Sequence, residues 1–392
     1  MEDAVILAGA RTPIGAFQGS LSSFTAPQLG AKAIASALER AGVPPEEIDE
    51  VIMGCVLTGG MGQAPARQAA IFGGLPDSVP ALTINKVCGS GMKAVMLAAQ
   101  AIKLGDSKLV VAGGMESMSN APYALDKART GYRMGNGVLT DLMIHDGLWD
   151  PYGNCHMGMC GDATAADQNI SREELDAFAA ESYRRAIQSQ TAGRFEREIV
   201  PVSVPQRKGD LIIVQNDEEP AKGDPAKLPS LRPAFNKDGV TTAGNASSLD
   251  DGACALVVSS QTEADRRGVR PLGRIVAFAT HAQKPDQFTT APAFAIDKLL
   301  QLAQLSVSDI DIFEVNEAFA VVALAVSNLA KIPTEKLNVN GGAVALGHPI
   351  GMSGARLILT ALHELRLRGA RYAVATPCIG GGEATAILLE AC

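Results

Sequence analysis

Two cysteines, a histidine and an asparagine in this 392-residue chain stand where side chains can do chemistry. Cys88, in NKVCGSGM, lies between an apolar run and the start of a helical pattern. A thiol at a helix N-terminus feels the partial positive charge of unpaired N–H groups, which favours the nucleophilic thiolate. Gly89 and Gly91 permit a tight turn and close substrate approach, a geometry like a nucleophile elbow without its GxSxG pattern. Cys378, in ATPCIGGGEA, also follows a strand-like run. The free N–H groups of Gly380, Gly381 and Gly382 behind it can hold an oxyanion. His348, in GGAVALGHPIG, is one of five histidines and can take a thiol's proton. Asn316, in VNEAFA, ends another apolar run and can hold a water or a substrate carbonyl. Each residue alone has a plainer reading, as a packed cysteine, a glycine turn or a helix cap. Together they form a coherent set for acyl transfer.

Bringing them together requires a particular scaffold. Strand patterns cover residues 4–7, 51–56, 81–87 and 109–112, and helical patterns cover 26–41 and 92–104. The same order recurs about 263 residues later. Helices at 293–302, 318–330 and 355–367 alternate with strands at 312–315, 337–339 and 372–375. SGMKAVMLAAQAIKLG at 90–105 lies over SGARLILTALHELRLRG at 353–369. The chain therefore reads as a duplicated α/β unit. Residues 119–248, rich in Gly, Pro, Asp and Asn, interrupt it as an insertion suited to substrate contacts. Within the insertion, Ser171 and Glu174 make a capping box for a helix over 172–189. This gives a first half of 1–118 plus 249–270, a loop domain of 119–248 and a second half of 271–392. Cys88 and His348 occupy nearly equivalent positions in the two halves, and all four candidate residues lie at carboxyl ends of strands, where such folds place their sites.

Composition narrows the function. Hydrophobic residues reach 47%, enough for a large core. A net charge of −8 and aromatics at only 4% argue against a nucleic-acid or anionic-membrane surface, though a local basic patch could still hold an anionic ligand. The seven cysteines are widely spaced without a CxxC pair, so neither a disulfide framework nor a structural zinc site is expected, and a reducing cytoplasmic setting is. No apolar run of transmembrane length, leader, peroxisomal or prenylation signal is expected.

NKVCGSGMKA, GGMESMS, NEAFA, GGAVALGHPIGMSGAR and CIGGG, in that order and beginning from ARTPIG at 10–15, resemble the signatures of the thiolases over essentially the whole chain. The resemblance implies two halves forming five layers, α-β-α-β-α, with an inserted loop domain and assembly as a homotetramer. It implies that Cys88 is acylated and that His348 activates it. Asn316 would hold the water of an oxyanion hole, and Cys378 would be the acid/base that removes the acetyl methyl proton. The N–H groups of Cys88 and Gly380 would form a second oxyanion hole. Coenzyme A would be substrate and product, with no metal or redox cofactor required. CoA contacts would come from HMGM, LRPAF and TAGNASS, with His156 and Ser247 foremost, then Met157, Phe235, Ala243, Leu249, Ala318 and Phe319. Where many relatives carry a CoA-binding Arg near residue 220, this chain offers Lys222 or Lys227, which lack the planar fork. WDPYGNCHMG and the run at 218–235 are more similar to the short-chain acetoacetyl-CoA thiolases, which interconvert acetyl-CoA and acetoacetyl-CoA. Phe288 is similar to a pocket residue of members that accept a 2-methyl branch and bind potassium. The alternatives are a broader-range 3-ketoacyl-CoA thiolase, a ketoacyl synthase, which would need a second His where Asn316 stands, and a non-catalytic acyl-CoA or lipid carrier, which would be expected to have lost Cys88, His348 or Cys378.

Overall fold

The computed structural model describes residues 2–206 and 209–392. Nine strands run in one line through the molecule, and their order repeats. The first group is β1 (Ala4–Arg11), β2 (Glu50–Gly54), β3 (Ala81–Ile84), β4 (Leu109–Ser117) and β5 (Asp250–Ser260), in spatial order β3-β2-β4-β5-β1. The second is β6 (Gly273–Ala282), β7 (Ile312–Val315), β8 (Tyr372–Thr376) and β9 (Glu383–Ala391), in order β7-β8-β9-β6. In the first group β2 and β4 pair in parallel and the next two pairings are antiparallel; in the second β7 and β8 pair in parallel, again followed by two antiparallel pairings. The expected strand at 337–339 is reduced to a parallel bridge between Leu337 and Phe313, at the place β3 takes beside β2. The groups meet through a two-residue pairing of β1 with β6.

Helices fill the layers. α1 (Ala26–Ala41) and α2 (Pro65–Phe72) pack together, with α1 on the outer face of the first group. α3 (Ser90–Leu104) and α8 (Ser353–Arg368) touch each other and strands of both groups, so they form the central layer. α6 (Ala291–Ala303) covers the outer face of the second group, with α7 (Ala320–Ala330) beside it. This is the five-layered duplicated α/β architecture. Sequence signals set the boundaries: Thr25 and Gln28 cap α1, and left-handed glycines end α1, α3 and α8. From the insertion, α4 (Met157–Asp167) and α5 (Arg172–Thr191) pack on α7, and α5 begins at the expected Ser171–Glu174 box.

The central layer is held close by glycine. A Cβ on Gly91 of α3 would stand 2.9 Å from Gly351 O, and one on Gly114 of β4 only 1.9 Å from the same oxygen. The loop bearing His348 therefore lies directly on the backbone of the half that bears Cys88.

Candidate active site

β3 stops at Ile84, short of the expected end at residue 87, because the chain knots into a turn. Val87 N donates to Asn85 Oδ1 (2.9 Å), Lys86 N to Ser90 Oγ (2.8 Å), and Ser90 Oγ to Val87 O (2.7 Å). These bonds hold Val87 at φ 44°, left-handed backbone that a β-branched residue avoids. Strain therefore sits immediately before Cys88, in the elbow-like turn that opens α3.

The turn rests on the Cys378 loop. A Cβ on Gly89 would stand 2.3 Å from Ile379 Cδ1. The backbone N–H groups of Gly380 and of Cys88 itself lie near enough to Cys88 Sγ to favour its thiolate. Cys378 is fully buried, and charge on Cys88 raises its pKa, so the two sulfurs are neighbours. An ion pair of Lys86 with Glu383 ties the same two loops. Burial pushes the Cys88 thiol up to about 12 and the Cys378 thiol well above its ordinary range. The N–H groups of Gly380 and of Cys88 oppose the rise at Cys88 without overcoming it. Burial thus outweighs the stabilisation that the helix N-terminus was expected to give a Cys88 thiolate.

His348 enters from the second half. Its Nδ1 is 2.6 Å from Ser353 Oγ, which donates to Pro349 O (3.0 Å). With the hydroxyl proton so committed, Nδ1 carries the ring hydrogen and Nε2 presents the lone pair. Burial, followed by the charge of Arg356, lowers the His348 pKa to about 3, so the imidazole is neutral at rest. Asn316 Nδ2 lies 3.3 Å from His348 Nε2, and its backbone N donates to Thr376 O (3.0 Å). Asn316 Oδ1 is buried without a partner among the described residues, an acceptor suited to a water.

Two acidic residues that were not singled out in the sequence place the His348 loop. His348 N donates to Asp250 Oδ2 (2.7 Å), across the left-handed Gly347 at φ 100°. Glu116, at the end of β4, accepts from the N–H groups of Val56 (3.0 Å), Leu57 (3.1 Å) and Gly351 (2.9 Å). It thereby joins the loop after β2 to the His348 loop, and burial lifts its pKa to about 7. Their signal in the sequence was an acid at the end of an otherwise apolar strand, in LVVAGGMES and DDGACALVV.

Cys88 and His348 open onto a cavity of about 420 Å³. Its wall includes the expected His156, Met157, Phe235, Ala243, Ser247, Leu249, Phe288, Ala318 and Phe319. His156 stacks on Phe235 with centroids 4.4 Å apart, and Phe235 meets Phe319 edge-on at 6.0 Å. Ser247 N and Oγ both donate to Ala318 O at 3.0 Å, stitching the insertion to the second half. Asn316, Cys378 and Gly380 are off the wall but adjoin His348 or Cys88. Lys222 is not brought to the cavity; it is exposed and pairs with Glu219 at 3.4 Å. Met118, Met143, Ile144, Leu148 and Ile350 complete an apolar wall that the sequence did not reveal. A larger surface groove, about 680 Å³, runs past Glu46, Glu263 and Arg266 and holds none of these residues.

Residues 4–262 match the family described as Thiolase, N-terminal domain, and residues 269–391 match Thiolase, C-terminal domain. The acetyl-CoA acetyltransferase of Cupriavidus necator is 51% identical over 391 residues, covering 100% of both chains. Acetyl-CoA acetyltransferase 2 of Arabidopsis thaliana is 53% identical over 390 residues, 99% of this chain and 97% of its own. The Pseudomonas aeruginosa acetyl-CoA acetyltransferase is 50% identical over 390 residues, 99% of each.

Proposed function

The chain belongs to the thiolase family, and from that premise we propose that it is an acetyl-CoA C-acetyltransferase, interconverting two acetyl-CoA with acetoacetyl-CoA and CoA through acetyl-Cys88. The observation that carries the reading is the meeting of Cys88 with Gly380 and Cys378, beside His348 and its Asn316 contact, at the end of a largely apolar cavity. The similar relatives' names support the short acyl unit over the broader-range alternative.

In the first half-reaction, His348 Nε2 takes the Cys88 proton as the sulfur attacks the thioester carbonyl. The N–H groups of Cys88 and Gly380 receive the oxyanion. The departing CoA sulfur takes the Cys378 proton, leaving a Cys378 thiolate and a His348 imidazolium. In the second, Cys378 removes a methyl proton from a new acetyl-CoA. Imidazolium and an Asn316-held water stabilise the enolate oxygen as its carbon attacks acetyl-Cys88. The Cys88 sulfur leaves and recovers its proton from His348, so both thiols end protonated. Dividing the reaction through a covalent intermediate replaces one difficult step by two easier ones.

His156, Met157, Phe235, Ala243, Ser247, Leu249, Phe288, Ala318 and Phe319 form the substrate arm of this reading. A homotetramer, a reducing cytoplasmic setting, 2-methyl acceptance with potassium, and the three-part division with its loop domain belong to the same proposal. The repeated strand order supports the division, and the exposed Tyr123, Val138 and Leu139 offer apolar surface for assembly. No helix of the described residues is long and apolar enough to cross a membrane.

The test separates the thiols. Cys88→Ala abolishes condensation and thiolysis. Cys378→Ala, incubated with acetyl-CoA, retains an acetyl adduct by mass spectrometry but makes no acetoacetyl-CoA. An unacetylated Cys378→Ala protein, or near-normal turnover by Cys88→Ala, refutes the assignment.

A further inference from the structure

Asp150, Cys155 and Cys160 have no part in this chemistry, yet their ligating atoms all lie within 4.8 Å of one another. A short hairpin sets Asp150 opposite Cys155, and the first turns of α4 bring Cys160 to the same point. Asp150 is buried, with its two oxygens fixed by Tyr152 N (3.0 Å) and Gly153 N (3.1 Å). No lysine or arginine pairs with it among the described residues. Asp286 adds further negative charge near Cys160. A buried carboxylate beside two thiols, without a cationic neighbour, is a place short of positive charge. Cysteine spacing alone argued against zinc; the hairpin supplies the convergence that spacing lacked.

We propose that Asp150, Cys155 and Cys160 form a binding site for one thiophilic divalent cation of the zinc class. Two thiolate sulfurs and one carboxylate oxygen are donors that such an ion takes, with bonds of about 2.3 and 2.0 Å. Those bonds put neighbouring donors roughly 3.5–3.8 Å apart in a tetrahedron, which small side-chain rotations from the present arrangement supply. Each thiol releases its proton to solvent as its bond to the ion forms. Two thiolates and one carboxylate then hold the dication, and the fourth position stays open to water. The N–H bonds to Asp150 are the outer support that orients a ligating carboxylate. Cys155 is only partly buried and gives the ion its entry. The bound ion would clamp the hairpin to the start of α4, where His156 and Met157 face the cavity.

The test titrates reduced, full-length Cys88→Ser/Cys378→Ser protein with Cd2+, so that the active-site thiols do not compete. It reads the ultraviolet thiolate-to-cadmium charge-transfer band, with Zn2+ added as competitor. One equivalent per chain and a band of two thiolates are expected. In that background Cys155→Ser, the less buried and less disruptive change, halves the band per bound ion and weakens binding at least about tenfold. Asp150→Asn weakens binding and leaves the two-thiolate band intact. No saturable binding, or a band unchanged by Cys155→Ser and Cys160→Ser, overturns the site. So does a Cys155–Cys160 disulfide that re-forms and excludes the ion. All these readouts are independent of turnover, so the site and the acetyltransferase reading stand or fall separately.

Discussion

Gly89→Ala tests whether the Cys88 turn and the Cys378 loop act as one piece. The backbone at Gly89 has φ −86°, which alanine adopts freely, so the substitution introduces no conformational strain. Its methyl would lie 2.3 Å from Ile379 Cδ1 and 2.9 Å from Cγ1. Carbon atoms in contact settle at about 3.5–4.0 Å, so the turn and Ile379 must separate by roughly 1 Å. Ile379 is buried and has little room to yield. Overpacking of this kind costs about 1–3 kcal/mol of stability, which leaves most of the protein folded. Displacing reacting groups by 1 Å costs on the order of 100-fold in rate. Gly89→Ala should therefore lower kcat for condensation about 100-fold with a modest fall in Tm. The control is Ile379→Ala, which removes both opposing carbons. Adding Gly89→Ala to that background should cost little, giving a favourable coupling in the double-mutant cycle. A Gly89→Ala enzyme with near-normal kcat, or a loss that Ile379→Ala does not relieve, would show that the two loops do not set each other's position.

Alkylation of Cys88 in the free protein should rise about tenfold per pH unit between roughly pH 7 and 10 without levelling, because its thiol titrates near 12; a plateau near neutrality would mean a standing thiolate–imidazolium pair instead. Glu116→Gln should change stability in a pH-dependent way. Burial raises the Glu116 carboxyl from 4.5 to about 7, so the folded state alone holds that proton in this window, and the wild type loses up to about 3 kcal/mol as pH rises through it. Glutamine has no such loss, so the variant's deficit in chemical denaturation should shrink from about pH 4 to pH 8; a constant difference refutes the assignment. In steady-state kinetics Phe235→Ala should raise KM for acetyl-CoA by up to about 30-fold, since Phe235 lines the cavity and holds His156 and Phe319 there through two aromatic contacts worth about 1 kcal/mol each. Lys222→Ala, in the same assay, should leave KM within about twofold, its charge being exposed and already paired; the reverse pattern would restore Lys222 as the CoA contact.

The repeat was legible because helix and strand periodicities survive duplication, and because glycines punctuate both copies at the same places. Cys88, His348, Cys378 and Asn316 were legible because their residue types have few other reasons to stand at strand ends beside glycine. The short strand at 81–84 was overrun to residue 87, because nothing in NKV announces that Val87 will be forced left-handed by Asn85 and Ser90. The strand expected at 337–339 failed for a related reason: an apolar run lying against β7 keeps only one bridge and has no second neighbour. Glu116 and Asp250 were not recognised because their partners are backbone N–H groups from distant loops, and such partners leave no side-chain pattern. Lys222 was named by linear nearness to a family position, and it stands exposed beside Glu219, away from the cavity wall.

The environments of Cys88 and His348 raise a further question, since burial makes the thiol a weaker acid, with its pKa up to about 12, and the imidazole a weaker base, with its pKa down to about 3. Transferring the proton between them in the empty site would leave two desolvated charges, and such a pair is costly unless other dipoles stabilise it. Asn316 Nδ2, a donor facing the imidazole, gives an imidazolium no stabilisation; the dipoles in place that can act are the Gly380 and Cys88 N–H groups at the sulfur. They gain their full electrostatic value only when a carbonyl oxygen becomes negative between them, because that is when charge exists for them to stabilise. The same burial that weakens the resting acid–base pair removes water from the cavity and strengthens every N–H contact to the developing oxyanion. In the proposed mechanism nucleophile activation is thereby coupled to thioester occupancy: the proton moves as the carbonyl oxygen takes charge.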